Sequence, residues 1–254
     1  MSENKFKFPT EVVELPSKGF PYPESSPLSS GTIEMKYMSA KEEDILTNMN
    51  FIRQGVVIDR LLQSMIVSKI DYDELLTGDK NALLVAARIL GYGKDYDVEL
   101  TDDYGQKVKT VIDLTDFDPK PIDESIFVKG KNEFAFTLPQ SKVTVTFKLL
   151  THADDKKIEQ EIKGLTKANP NGSYDITTRL KHLITSVNGD SDNNTIRDFV
   201  DNMMVRDARA VREYAAKITP DLDTRISYIN SKGDVVEGIT MPIGTNFFWP
   251  DSGI

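Results

Sequence analysis

The chain has 254 residues, 39% hydrophobic and 28% charged, which excludes a disordered or fibrous polymer and leaves room for one large folded unit or two ordinary ones. A formal net charge of −9 repels a polyanion at long range, so the balance argues against a dedicated nucleic-acid binder. With no cysteine there are no disulfides, thiolate nucleophiles or thiolate-bound zinc, and the composition fits a reducing cytoplasm.

The first five residues mix charges and lack an apolar stretch, so no secretory signal is expected. Residues 1–30 read as an extended arm. Phe6, Phe8, Val12, Val13 and Leu15 are apolar, and Pro16, Pro21, Pro23 and Pro27 then block helix and sheet interior alike. Such an arm has no core of its own and must lie on another surface of the chain or of a partner. Residues 32–38 alternate Ile33, Met35 and Tyr37 with Thr32, Glu34 and Lys36, the period of a half-buried strand. Ser39 and Glu42 form a capping box for a helix over 40–50. A second helix is expected over 56–69, with Val57, Leu61, Leu62, Met65 and Ile66 on one stripe. A third covers 81–90 and stops at Gly91 and Gly93. The run 82–90 is the longest apolar one, but it holds Arg88 and is too short to span a bilayer. Residues 96–101 and 108–114 then form a hairpin around Gly105.

A linker carrying Pro119 and Pro121 occupies 119–132, after which the pattern starts again. Strands are expected over 133–138 and 142–150, and helices over 152–167, 174–187 and 194–218, the last stopped by Pro220. A closing hairpin covers 224–229 and 235–240. Leu138-Pro139 echoes Leu15-Pro16. Asp79, Asp95, Val98, Gly105 and Val108 have counterparts at Asp207, Asp223, Ile226, Gly233 and Val236, each 128 positions on. The expected architecture is α+β, with two pseudo-repeated lobes at 31–118 and 133–254. Each lobe is a strand, about three helices and a hairpin, packed as helices on a small antiparallel sheet.

No catalytic pattern emerges. His152 stands at a helix start, where a capping or surface role is expected, and His182 has no ligand partner at helical spacing. The segment from Asp190 to Asp201 begins like a calcium loop, but Thr195 replaces the sixth-position glycine and Asp201 the twelfth-position glutamate. A helix cap by Asp192 or Asn194 explains the same residues. Gly91-Tyr92-Gly93 follows a helix, whereas a phosphate cradle precedes one. Arg206, Arg209 and Arg212 are interleaved with Asp207 and Glu213, as on a solvated helix face. Asp71, Asp73 and Glu74, with Asp102 and Asp103, are acidic clusters; a metal-dependent hydrolase using them is the alternative function, and a nucleic-acid adaptor is a third. No catalytic residue, cofactor or metal ligand is assigned. Apolar residues without an obvious place remain: Phe6 and Phe8 in the arm, and Phe247, Phe248 and Trp249 near the far end. They either pack on the chain, the last three on the second lobe's sheet, or serve as candidate partner-binding anchors.

Three stretches resemble the baseplate hub family of contractile-tailed bacteriophages of the T-even type. They are residues 14–19 (ELPSKG) with Tyr22-Pro23-Glu24, residues 31–46 (GTIEMKYMSAKEEDIL), and the terminal Phe247-Phe248-Trp249-Pro250. The turn segments 102–105 and 230–233 hold no cysteine, so no zinc ribbon is carried over. The resemblance implies a non-enzymatic hub subunit or assembly chaperone. Its implied partners are other tail and baseplate hub proteins, the tape-measure protein among them, without nucleic acid or membrane. Its implied location is the host cytoplasm during assembly and the virion tail baseplate.

Overall fold

The computed structural model describes residues 9–241 and 245–248; of the residues singled out above, Phe6, Phe8 and Trp249 lie outside the described residues. Strand β1 (Thr10–Glu14) pairs antiparallel with β2 (Thr32–Lys36), so residues 10–14 are the chain's own sheet edge and not a free arm. The period of two in β2 has its expected effect, since Ile33 and Met35 are buried while Thr32 and Glu34 face outward. The capping box of Ser39 and Glu42 starts α1 (Ala40–Leu46). The expected single helix over 40–50 is broken, because the Asn48 side chain accepts from the amides of Asn50 and Phe51 and starts a separate α2 (Met49–Gln54). Helix α3 (Val57–Met65) buries Val57, Leu61, Leu62 and Met65 but ends before Ile66, short of the expected 69. Helix α4 (Thr77–Tyr92) starts earlier than expected and runs through Gly91 to stop at Gly93, and β3 (Asp95–Thr101) pairs with β4 (Lys107–Asp113).

The second half comprises β5 (Phe134–Thr137), β6 (Thr144–Phe147), α5 (His152–Ala168), α6 (Asp175–Leu183), β7 (Ile184–Val187), α7 (Asn193–Asp201), α8 (Val205–Ile218), β8 (Arg225–Ile229) and β9 (Val235–Thr240). Two expected helices are corrected here. The one over 174–187 ends at Leu183, where the chain turns extended and adds β7 to the edge of β6. The one over 194–218 is interrupted at residues 202–204, with Met204 in extended backbone, so that α8 begins afresh at Val205. That break places Asp207 in the first turn of a helix, where its carboxylate meets backbone amides. The expected α+β class holds, with helices on small antiparallel sheets.

The repeat is structural, down to register. Glu11 opposes Met35 and Val13 opposes Ile33 in the first pair of strands; Phe134 opposes Phe147 and Phe136 opposes Val145 in the second. Helices α3 and α6 both span 9 residues, follow Val56 and Tyr174 with nearly equal angles (φ −109°, ψ 2° and φ −119°, ψ −2°), and end on extended Ile66 and Ile184. The two hairpin turns are copies. Asp102 Oδ1 accepts from the amides of Tyr104 and Gln106, and Asn230 Oδ1 from those of Lys232 and Asp234. Gly105 and Gly233 take the left-handed backbone that closes each turn (φ 74° and 89°). The spacing is not uniform. It is 128 from α4 and α8 onward, 118 between α3 and α6, and 112 between β2 and β6, because the second copy carries extra loop at 169–174 and extra chain around α7.

The copies do not form separate lobes with separate cores. One buried cluster runs from Leu15, Leu28 and Ile33 through Leu83 and Leu114 to Phe147, Val211 and Phe247. The expected linker is part of it. Phe127 packs between Phe20 and Phe134 with ring centroids 6.1 and 5.3 Å away, and Lys120 and Asp223 exchange backbone hydrogen bonds with Asp221 and Asp118. At the seam the chain ahead of α4 bridges the chain ahead of α5. Thr77 N–H donates to Leu150 O at 3.3 Å and His152 N–H to Leu75 O at 2.7 Å.

Gly78 sits in that seam with no space for a side chain, since a Cβ there would lie 1.8 Å from the Pro220 carbonyl oxygen. Gly78→Ala is expected to destabilise the chain by about 1–3 kcal/mol through overpacking against backbone that cannot yield. Gly164→Ala, in the open interior of α5, should instead stabilise by about 0.5–1 kcal/mol. Urea unfolding of the two variants beside the parent checks both signs.

Candidate functional site

The strongest concentration of titratable side chains lies at the seam. His152, buried at the start of α5, is edge-on to Tyr72 with ring centroids 4.8 Å apart, and its Nδ1 is 3.2 Å from Lys80 Nζ. Lys80 Nζ reaches Asp59 Oδ1 at 2.6 Å, and the Tyr72 hydroxyl donates to the same oxygen at 3.0 Å. His152 Nε2 stands 3.2 Å from Asp59 Oδ2 without hydrogen-bond alignment. Burial disfavours the Asp59 carboxylate, but His152 and Lys80 outweigh it and hold the acid well below its usual range. Burial, reinforced by Asp59, drives the Tyr72 phenol upward. The expected surface role for His152 is therefore corrected: its ring is buried at the seam with the start of α4, against Tyr72, Lys80 and Asp59. Nothing in the spacing of residues 59, 80 and 152 announces this. The group ties α3, α4 and α5 together, and its one acid is committed to Lys80 and the Tyr72 hydroxyl beside the His152 ring.

Two more carboxylates are deeply buried, and the repeat pairs them. Asp79, in the first turn of α4, accepts from the Ser17 amide at 2.9 Å, the Ser17 hydroxyl at 2.7 Å and the Tyr22 hydroxyl at 2.6 Å. Asp207, in the first turn of α8, accepts from the amides of Gln140 and Ser141 at 2.8 and 2.9 Å. Each acid clasps the turn that follows a Leu-Pro pair, Leu15-Pro16 or Leu138-Pro139, so the motif read in the sequence has a mechanical purpose. Their protonation differs. Burial raises Asp79 in spite of its donors, whereas the amides at Asp207 overcome burial and lower it.

The remaining sequence candidates are engaged in local structure. Asp190 accepts from the Asp192 amide and the Thr195 hydroxyl, and Asp192 caps α7 through the amides of Asn194 and Thr195; the capping interpretation is the one the structure adopts. Asp71 accepts from the Asp73 amide, and Asp73 pairs with Lys156. Asp102 is held down to about 2, chiefly by the Ser231 hydroxyl and then by the amides of Gln106, Ser231 and Tyr104. His182 pairs with Glu161 at 2.8 Å, a partner on the neighbouring helix that helical spacing does not reveal. Arg209 pairs with Glu213, and Arg212 donates to the Ala208 carbonyl. Among the described residues no group of three or more His, Cys, Asp or Glu is arranged to hold a metal ion, and no helix is long and apolar enough to cross a membrane.

Phe247 and Phe248 are 2% and 4% exposed, so within the chain they are core, with no surface to offer a partner. The ring contact of Phe247 is with the first copy, not the expected second copy's sheet. Phe247 lies 5.0 Å from Tyr96, on the hairpin of the first copy, and 5.9 Å from Phe248. What the surface does offer is apolar: Met204, Val205, Ile229 and Val235 are exposed in the second copy, and Val12, Tyr104 and Val111 in the first.

Residues 11–249 match the family model described as T4 bacteriophage base plate protein. No curated protein and no solved structure matches the chain significantly.

The two clasping acids predict opposite pH behaviour. Asp207 is lowered, so its contribution is present above the ordinary carboxylate pKa and lost as pH falls through its own value. Asp79 is raised, so its contribution is present below the ordinary pKa and lost as pH rises through its own value. Asp207→Asn turns an amide NH₂ toward a backbone N–H and should cost roughly 1–3 kcal/mol at pH 7; Asp79→Asn should cost less, because the Ser17 and Tyr22 hydroxyls can turn to accept. In melts carried from pH 7 to about pH 2 the deficit of Asp79→Asn should grow as the pH falls through the raised Asp79 value, and that of Asp207→Asn should shrink only below about pH 4.

Proposed function

Since the chain belongs to the T4 bacteriophage base plate protein family, we propose that it works without catalysis, taking part in assembly of the base plate's central hub through protein–protein contacts. Its partners in this proposal are other hub proteins of the tail, with the tape-measure protein among them. It acts in the host cytoplasm during assembly, and either stays in the tail base plate as a hub subunit or leaves as a chaperone. The observation that carries the reading is how the reactive side chains are spent. Asp79, Asp207, Asp102 and Asp192 hold backbone amides or hydroxyls and Asp59 is bound by Lys80 and the Tyr72 hydroxyl, while exposed apolar residues such as Ile229, Val235, Val12 and Val111 are left for partners. The hub-like segments at 14–19 and 31–46 support the finer assignment. The first turns into the Asp79 clasp, and the second spans β2 and the whole of α1.

Affinity capture from infected cells, before and after tail completion, is expected to recover hub proteins with the parent chain. Mass spectrometry of finished virions then separates the two forms, abundant peptides identifying a subunit and none a chaperone. Phe6, Phe8 and Trp249 are the proposed anchors. Trp249→Ala, or removal of residues 1–8, should reduce capture more than it lowers the melting temperature. Phe247→Ala should cost about 3–5 kcal/mol of stability, as for a large buried aromatic. Substrate turnover by purified protein, or recovery of no tail protein, would defeat the proposal.

A further inference from the structure

We propose that the chain associates head to tail with a second copy of itself, through the same bridge that joins its two repeats. The bridge inside the chain has two halves. One is the segment ahead of α4, Leu75-Leu76-Thr77, and the other is the segment ahead of α5, Leu150-Thr151-His152. By the repeat, each half has a counterpart elsewhere. Met203-Met204-Val205 precedes α8 as Leu75-Leu76-Thr77 precedes α4, and Met38-Ser39-Ala40 precedes α1 as Leu150-Thr151-His152 precedes α5. Those counterparts are complementary to each other, and within the chain they do not meet.

They are also open. Leu76 is 1% exposed where the bridge is made, and its counterpart Met204 is 47% exposed; Val205 beside it reaches 81%. On the other half His152 is buried and its counterpart Ala40 is exposed; Leu149 is buried and its counterpart Tyr37 is exposed. The backbone groups that make the internal bridge have no partner at these sites among the described residues: the N–H of Val205 and of Ala40, and the carbonyls of Met203 and Met38. Both N–H groups belong to the first residue of a helix, which has no intrahelical acceptor. The side chains around them are suited to a dry contact. The internal seam holds Asp59, Lys80 and His152, and the repeat puts Thr177, Ala208 and Ala40 in their places.

The contacts between copies run in one direction, which is why the outer halves stay unfilled. Asp102 of the first hairpin accepts from the amide and hydroxyl of Ser231 in the second. The reverse contact, Asn230 to Asp103, is absent because Asn230 is occupied in its own turn and on Asp234. A one-way interface is heterologous: it repeats until rotation closes a ring, and each unit exposes one unfilled half at either end. The occupant of Met203–Val205 is therefore the Met38–Ala40 segment of another copy, with Val205 N–H on Met38 O and Ala40 N–H on Met203 O. Self-association is independent of which base plate proteins the chain contacts, since purified chain alone is sufficient to read it.

Two substitutions delete one donor each while suiting the helix that carries it. Proline is favoured at the first helical position, and the preceding residues, Met204 (φ −63°, ψ 140°) and Ser39 (φ −117°, ψ 174°), already have the extended backbone proline requires. Sedimentation equilibrium of the full chain should show parent protein passing from monomer to dimer and longer species with concentration. Val205→Pro and Ala40→Pro should each stay monomeric at concentrations at least tenfold higher. An equimolar mixture of the two should form a dimer and nothing longer, because each variant keeps the half its partner lacks. Val205→Asp and Ala40→Glu, acids that suit a helix's first turn, repeat the test if a proline variant melts well below the parent. Parent protein that stays monomeric to about 100 μM, above the range of a specific micromolar contact, overturns the proposal. So do variants that associate like the parent, or a mixture of variants that stays monomeric.

Discussion

The structure depends on an exchange between two helix starts. A helix leaves its first N–H groups without acceptors, and burying such a start without partners costs free energy. At the seam Thr77 and His152, each the first residue of its helix, donate to the carbonyls ahead of the other's helix. Two buried defects cancel in one bridge, and that permits α4 and α5 to begin deep in the molecule. The consequences spread from there. The His152 ring is carried into the interior, where Asp59 and Lys80 meet it, and α4 is brought so close to the end of α8 that position 78 tolerates only glycine.

The buried acids extend the same logic into each copy. A carboxylate in the first turn of a helix faces both the helix's own positive end and any backbone amides that approach it from outside the helix. Asp79 and Asp207 use that position to hold the turn after Leu-Pro, anchoring the entering strand to the helix that precedes the hairpin. Duplication preserved the geometry and changed the balance: at Asp79 burial outweighs the two hydroxyls and one amide that favour the carboxylate, and at Asp207 the Gln140 and Ser141 donors outweigh burial, so the two acids move in opposite directions. Buried and perturbed carboxylates often mark catalytic centres. Here the repeat itself supplies the structural explanation, because two copies of one clasp at equivalent positions account for both.

How much of this was legible in the sequence follows from the range of each interaction. The strand at 32–38, the capping box at Ser39, the cap at Asp192 and both hairpin turns rest on residues a few positions apart, and their patterns were readable. The repeat was readable where its spacing is constant, from Asp79 and Asp207 onward, and was blurred upstream where insertions change the spacing. Helix ends were misread where a tertiary partner decides them. Residues 184–187 leave the helix to join the edge of β6, and the break at 202–204 lets Asp207 reach amides more than sixty residues away. The place of His152 was invisible because its neighbours come from residues 59, 72 and 80. Burial of Phe247 and Phe248 was among the alternatives, but their crossing to Tyr96 on the other copy's hairpin was not.

A single core shared by both copies changes what the duplication means. Two lobes on a linker would move independently and present two independent surfaces. A continuous core fixes the copies to each other, so the hairpins, the seam and the outer edges keep a constant relation. Rigid fixation also makes the one-way contacts consequential. Had Asn230 met Asp103 as Ser231 meets Asp102, the two copies would have closed on themselves as a two-fold pair, with no unfilled bridge half at either end. Because the contacts run one way, the chain ends in one donor–acceptor edge at Met203–Val205 and a complementary one at Met38–Ala40, and the rule that joins its halves also governs what fits against its ends.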